Sequence, residues 1–164
     1  MYRVNELQAG DILLMRDTTC IDAGIRLATT NAYTHAALVG HGVIIQATWP
    51  RVDHIALDTY CATGDRFTVS ATAQELDTVV QAAEARVGQR YGLDELLLDA
   101  GRYIGHIPWT KRLPWMNHRL TCSGLVAHAY LQAGIVLTYE PFPSPASLSY
   151  SPRLHGLRYW EGAA

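Results

Sequence analysis

The stretch that decides the fold is Thr121-Cys122-Ser123-Gly124-Leu125-Val126-Ala127-His128-Ala129-Tyr130. Its apolar residues recur at helical spacing, which predicts a helix that starts at or next to Cys122, with Thr121 as the N-cap. A thiol at that position meets unpaired backbone N–H groups and the positive end of the helix dipole, and both favour the thiolate. The same N–H groups are suited to hold the oxyanion of an attacked carbonyl. The stretch therefore predicts a cysteine nucleophile, which still needs a base.

Composition predicts one globular domain over residues 1–164, because 49% of the chain is hydrophobic and the net charge is only −2. Nearly balanced charges argue against a nucleic-acid partner. No apolar run approaches the roughly 18 residues that span a bilayer, and the N-terminus has no apolar signal segment. We therefore expect a cytoplasmic protein, with action outside the cell only by a route that needs no signal peptide.

The cysteines and the known ligand motifs predict neither a disulfide framework nor a metal or other cofactor. The three cysteines, an odd number without metal-type spacing, suit a reducing compartment. Cys20 and Cys61 are expected to be buried small hydrophobes. The chain lacks a His-Glu-x-x-His pair, an EF-hand loop and a Gly-rich phosphate loop.

The first half of the chain predicts short strands. An apolar run at 12–15 follows the Gly10-Asp11 turn, and runs at 34–39 and 43–48 flank Gly40-His41-Gly42, which is typical of a β-hairpin. Residues 52–57 and 66–70 are weaker strand candidates.

Helices dominate the second half. The pattern predicts an amphipathic helix over 74–89 and a second one over 93–104, besides a short helical period at 21–27. The cysteine helix should run to about Ala133, with Gly134 closing it. Four prolines in the tail argue against regular helix there, and a short strand is expected at 157–160. Strands first and helices second predict an α+β fold with segregated layers.

His35 is the best candidate base among seven histidines. It begins a strand of small and apolar residues, and Gln46 lies close to it across the hairpin, where an amide could fix the imidazole tautomer. The pattern leaves the register of the hairpin open, so Thr48, on the same face as Gln46, is a reserve candidate. His128 lies on a different face of the cysteine helix and cannot easily reach Cys122. The others lie in less suitable segments: His41, His54, His106, His118 and His155.

Three blocks together resemble the signature blocks of the NlpC-type cysteine peptidases. They are Gly10-Asp11-Ile12-Leu13-Leu14, then Thr34-His35-Ala36-Ala37-Leu38-Val39-Gly40, and then Cys122-Ser123-Gly124-Leu125-Val126 with Ala133-Gly134-Ile135. Ordinary members place the cysteine helix before the histidine strand. The reversed order here resembles the circularly permuted branch, the YiiX- and YaeF-like proteins, with lecithin–retinol acyltransferase as a more distant relative.

The resemblance implies a permuted papain-like α+β fold, in which an N-terminal antiparallel sheet or half-barrel carries the histidine and C-terminal helices carry the cysteine. It makes Cys122 the nucleophile, His35 the base and Gln46 the third polar residue, where the branch more often has Glu or His. Tyr91, in Arg90-Tyr91-Gly92, resembles the family's tyrosine near the oxyanion region. Ser123 and Trp49 are further candidates for the substrate and oxyanion site, although Trp49 has the alternative of merely covering the cleft.

The function that the resemblance implies is hydrolysis of an amide bond by a cysteine thiol, with bacterial cell-wall peptides as the leading substrate. Two alternatives stay open: a lipid-directed hydrolase or acyltransferase acting on ester or N-acyl groups, and a non-catalytic binding module with the same fold. The Trp109–Trp115 loop, with Lys111 and Arg112, has three interpretations: a substrate lid, a peripheral contact with a membrane or cell wall, and an ordinary loop anchored by aromatics.

Overall fold

The computed structural model describes residues 6–16, 33–60, 63–92 and 120–161, which contain six strands and three α-helices. The strands are β1 Ile12–Met15, β2 His35–Val39, β3 Val43–Ala47, β4 Val52–Ala56, β5 Thr63–Val69 and β6 Leu154–Glu161. The helices are α1 Ala73–Glu84, α2 Cys122–Gln132 and α3 Pro145–Ser149, and a 3-10 turn covers Leu57–Thr59. None of these helices has the length and hydrophobicity of a bilayer span.

All six strands belong to one antiparallel sheet in the order β4-β3-β2-β1-β5-β6. Strand β1 lies inside it, between β2 and β5, and its four residues are fully buried. An uninterrupted apolar run is what a strand needs when both of its faces are covered. The strands expected at 12–15, 34–39 and 43–48 are confirmed as β1, β2 and β3, and the fold is α+β.

Helices α1 and α2 pack against each other and against one face of the sheet, where they close the larger hydrophobic core. The fully buried Tyr130 of α2 donates a hydrogen bond from its hydroxyl to the Gly10 carbonyl, just before β1. A second apolar cluster lies on the other face of the sheet and includes Leu13, Met15, Ala37 and Tyr60. The site described below lies where the start of β2 meets the start of α2.

Three sequence expectations differ from the structure. The helix expected over 74–89 ends at Glu84, and the chain then turns until Gly88, whose φ of 85° favours glycine. The proline-rich tail forms α3, because Pro145 occupies the first turn, where the missing N–H costs nothing, and Ser144 caps it. Strand β6 also starts at Leu154, earlier than expected. The helices expected at 21–27 and 93–104 lie outside the described residues.

Gly10→Ala should destabilise the fold more than Gly42→Ala. Both glycines have positive φ, but a Cβ on Gly10 would lie 2.7 Å from Leu76 Cδ2, whereas one on Gly42 would meet nothing within 4 Å. We expect losses in the free energy of unfolding of about 2–4 kcal/mol and about 1 kcal/mol, respectively, in urea titrations. Equal losses would show that the contact with α1 adds nothing beyond backbone strain.

Candidate active site

Cys122 is the first residue of helix α2, as the sequence predicts. Thr121 is extended and its Oγ1 accepts a hydrogen bond from the Gly124 N–H at 3.1 Å. A Cβ on residue 124 would lie 2.9 Å from that oxygen, so glycine keeps room for the cap. The cap satisfies one of the free N–H groups of the first turn and leaves those nearest Cys122 to other partners.

The side chain of Ser123 has a structural contact. It is 1% exposed, and its hydroxyl donates a hydrogen bond to the Pro143 carbonyl at 2.5 Å. This bond ties the start of α2 to the segment that leads into α3. Ser123, a candidate for the substrate or oxyanion site, thus has its hydroxyl engaged elsewhere. The group that it offers to the site is its backbone N–H, which donates to the Cys122 sulfur.

His35 and Gln46 are brought together as the hairpin predicts. The His35 Nε2 lies 3.0 Å from Gln46 Oε1. The register, which the sequence left open, places Ala37 directly opposite Gln46, so His35 is its diagonal neighbour on the same face. The reserve candidate Thr48 lies after the end of β3, where its N–H is 3.4 Å from the Arg51 carbonyl.

The Cys122 thiol is hydrogen-bonded to the side chain of His35. It is 6% exposed. Burial raises the pKa of the thiol, but the charge and hydrogen bond of His35, together with the Ala36 and Ser123 N–H groups, outweigh burial and bring the pKa below its ordinary value. Because Nε2 is engaged by Gln46, Nδ1 is the ring nitrogen that remains for the thiol. The arrangement can form a thiolate beside an imidazolium.

Tyr60 is a site residue that the sequence did not reveal. It follows the 3-10 turn and is buried, and its hydroxyl donates to Gln46 Oε1 at 3.2 Å while lying 2.8 Å from Met15 Sδ. The same amide oxygen thus faces both His35 and Tyr60. No local pattern marks this tyrosine, because its partners are distant in sequence and it belongs to no predicted strand.

Tyr91 is brought close to the start of α2 by the backbone. It forms a parallel bridge with Leu120, two residues before Cys122, and its N–H donates to the Pro50 carbonyl at 3.0 Å. Its half-buried side chain packs against the larger core. Trp49, in the connection between β3 and β4, is 73% exposed, so most of its ring faces solvent.

Other titratable groups have partners away from the thiol. His128 Nε2 lies 2.7 Å from the Arg86 guanidinium, and burial and that cation lower its pKa. The buried Asp65 carboxylate accepts hydrogen bonds from Arg16 and Tyr33. Within the described ranges, no group of three or more His, Cys, Asp or Glu side chains is placed to hold a metal ion.

The comparisons with known proteins support the fold. The sequence matches no protein-family model and none of the curated proteins. Among solved structures, the chain is similar to the crystal structure of the metalloprotein yiiX from Escherichia coli O157:H7, with a TM-score of 0.70 and 16% sequence identity. The match covers 94% of this chain and 97% of that chain. The α+β fold of this protein is therefore YiiX-like.

Proposed function

We propose that the protein is a cysteine hydrolase of the permuted papain-like type, which cleaves an amide bond in a peptide through an acyl-enzyme. The observation that carries the proposal is the Cys122 thiol at the start of a helix, hydrogen-bonded to a histidine that a third polar residue holds. The geometry supports the proposal because a cysteine hydrolase needs a nucleophile, a base and an orienting group in this arrangement. The strand with His35 precedes the helix with Cys122, in the order of the permuted branch.

The first half of the reaction forms a thioester. His35 takes the thiol proton on Nδ1, and the sulfur attacks the amide carbonyl carbon. The resulting oxyanion is stabilised by the Cys122 backbone N–H, which lies in the first turn and has no carbonyl partner in its own helix. The carbon–nitrogen bond then breaks, and the imidazolium gives its proton to the departing amine. Tyr91 is the candidate for a second oxyanion donor.

The second half releases the acid. His35 takes a proton from water, and the hydroxide attacks the thioester carbonyl carbon. The carbon–sulfur bond breaks, and the proton returns to the sulfur. Gln46 keeps Nε2 engaged throughout, so that Nδ1 faces the reacting atoms in both halves of the reaction.

A metal does not fit these residues. The solved relative is described as a metalloprotein. Here Cys122 and His35 provide two donors, and the group beside them is the Gln46 amide instead of a carboxylate or a further histidine. Since three or four protein ligands are usual for zinc, the donor set of the described site is incomplete. The reaction is accordingly written with the groups of the chain alone.

The proposed substrate is a peptide, with bacterial cell-wall peptides first, as the resemblance to the NlpC-type peptidases implies. The acyltransferase relatives make a lipid ester or N-acyl substrate the alternative. The Trp109–Trp115 loop lies outside the described residues, so its contact with a membrane or cell wall remains a prediction. A cytoplasmic location likewise remains a prediction.

Cys122 should react with iodoacetamide at a pH where an ordinary thiol does not. In Cys20→Ser/Cys61→Ser protein, where Cys122 is the sole thiol, we expect the alkylation rate to reach half its maximum below the free-cysteine value of about 8.5, because His35 and the two N–H groups favour the thiolate. The same protein unfolded in urea is the control. Half-maximal alkylation at the same pH in both states would contradict the enzyme hypothesis and favour a binding module.

His35→Ala should slow alkylation of Cys122 at pH 7 by at least about tenfold, since it removes the charge and hydrogen bond that lower the thiol pKa most. Burial, which raises the pKa, is then opposed only by the Ala36 and Ser123 N–H groups. The matched control is His128→Ala on the same helix as Cys122, whose partner is Arg86. It should leave the pH profile of alkylation unchanged. The assignment of the base is wrong if both variants behave like the wild type.

Incubation with candidate substrates should leave an acyl group on Cys122. We expect intact-protein mass spectrometry to show a mass-matched adduct after incubation with muropeptides and none after incubation with phospholipids. Cys122→Ala protein is the control and should carry no adduct. An adduct from phospholipid alone would instead support the lipid-directed alternative.

A further inference from the structure

We infer that Tyr60 is a positioning residue that fixes the orientation of the Gln46 amide, and thereby determines which nitrogen of His35 carries the proton. The inference deepens the proposed function and rests on it. It starts from the two contacts of one atom: Gln46 Oε1 lies 3.0 Å from His35 Nε2 and 3.2 Å from the Tyr60 hydroxyl.

An amide can face the imidazole in two ways, and only one of them helps the thiol. With the oxygen toward His35, Nε2 carries a proton and Nδ1 is free to take one from Cys122. With the NH2 group toward His35, Nε2 becomes the acceptor and the proton moves to Nδ1, which can then no longer act as the base. The flipped amide also places a donor against the imidazolium, which has N–H groups at both nitrogens. A carboxylate at this position would accept a hydrogen bond from His35 in either orientation, because both of its oxygens are acceptors.

Tyr60 distinguishes the two orientations because its hydroxyl donates its single proton to the Gln46 oxygen. The Gln46 oxygen is a strong acceptor, whereas the thioether of Met15, 2.8 Å away, is a weak one. If the amide flipped, its NH2 group would face the tyrosine oxygen, and the hydrogen bond from the Tyr60 hydroxyl to the Gln46 oxygen would be lost. Both Gln46 and Tyr60 are buried, so water does not readily replace the lost bond.

The charged and titratable neighbours of this group are few among the described residues. Helix α2 contributes Cys122, and β4 contributes Asp53, which is directly opposite Gln46 and exposed. Strand β1 presents the uncharged Met15 opposite His35, and Arg16 follows it, paired with Asp65. Asp53 is therefore the charged side chain that a test must separate from Tyr60.

The experiment measures alkylation of Cys122 between pH 5 and pH 10 in Tyr60→Phe, Gln46→Glu and the double variant, all with Cys122 as the sole thiol. We expect Tyr60→Phe to slow alkylation at pH 6 by roughly three- to tenfold, the worth of one buried hydrogen bond. Its rate should rejoin that of the wild type at pH 10, where the thiol ionises without help. In the Gln46→Glu background the same change should lower the alkylation rate at pH 6 by less than about twofold, because both oxygens of a carboxylate accept hydrogen bonds.

Asp53→Asn is the matched control and should leave the effect of Tyr60→Phe intact. The inference is overturned if Tyr60→Phe leaves the pH profile unchanged, if it slows alkylation equally at every pH, or if it costs the same in the Gln46→Glu background. Either of the last two results would indicate a merely structural role.

Nitrogen-15 NMR of the His35 ring separates this inference from the proposed function, since it needs no reaction. In Cys122→Ala protein at pH 8 we expect the Nε2–H tautomer, and in the same protein with Tyr60→Phe a mixture of both tautomers. An unchanged tautomer would refute the role of Tyr60 even in an active hydrolase. A changed tautomer would support it even if no substrate is cleaved.

Discussion

The contact between the first turn of α2 and the first residues of β2 is the constraint on which the candidate site depends. The Cys122 sulfur accepts hydrogen bonds from the Ala36 and Ser123 N–H groups and is hydrogen-bonded to His35, so two elements that are remote in sequence enclose one atom. Burying a thiolate is costly unless donors and a cation surround it. The core that α1, α2 and the sheet form holds α2 against the sheet, and the bond from Tyr130 to Gly10 fixes the other end of α2 near the end of β2.

An uncharged third residue gives the proposed Cys–His pair a particular electrostatic character. The Gln46 amide accepts a hydrogen bond from imidazole but does not balance the charge of imidazolium as a carboxylate would. The counter-charge of the imidazolium is then the thiolate itself. In the proposed reaction the thiolate charge is lost when the sulfur attacks a carbonyl. The imidazolium that remains therefore gives its proton more readily to the leaving amine.

The sequence predicted the parts of the fold and site that local physics decides. The helix start at Thr121 and Cys122 follows from capping and apolar spacing, and the hairpin that joins His35 to Gln46 follows from its glycine turn. The register of the hairpin could not be predicted, because connections of different length around Gly40 fit the same alternation of side chains along the strands. The role of Tyr60 could not be predicted either, since its contact with Gln46 depends on the path of the irregular segment after β4. Helix α3 was missed because proline excludes helix interiors but not the first turn.

The order of the reacting groups along the chain has a consequence for protein synthesis. The strands with His35 and Gln46, and Tyr60 after them, are made before the thiol that they are proposed to activate. Domains are synthesised from the N-terminus, and α2 must still dock onto the sheet after translation has passed Cys122. A nascent chain therefore first contains His35 without Cys122. After Cys122 is synthesised, its proposed activation by His35 requires that α2 docks onto the sheet. Under the proposed chemistry, nucleophilicity would be one of the last properties that the folding chain acquires.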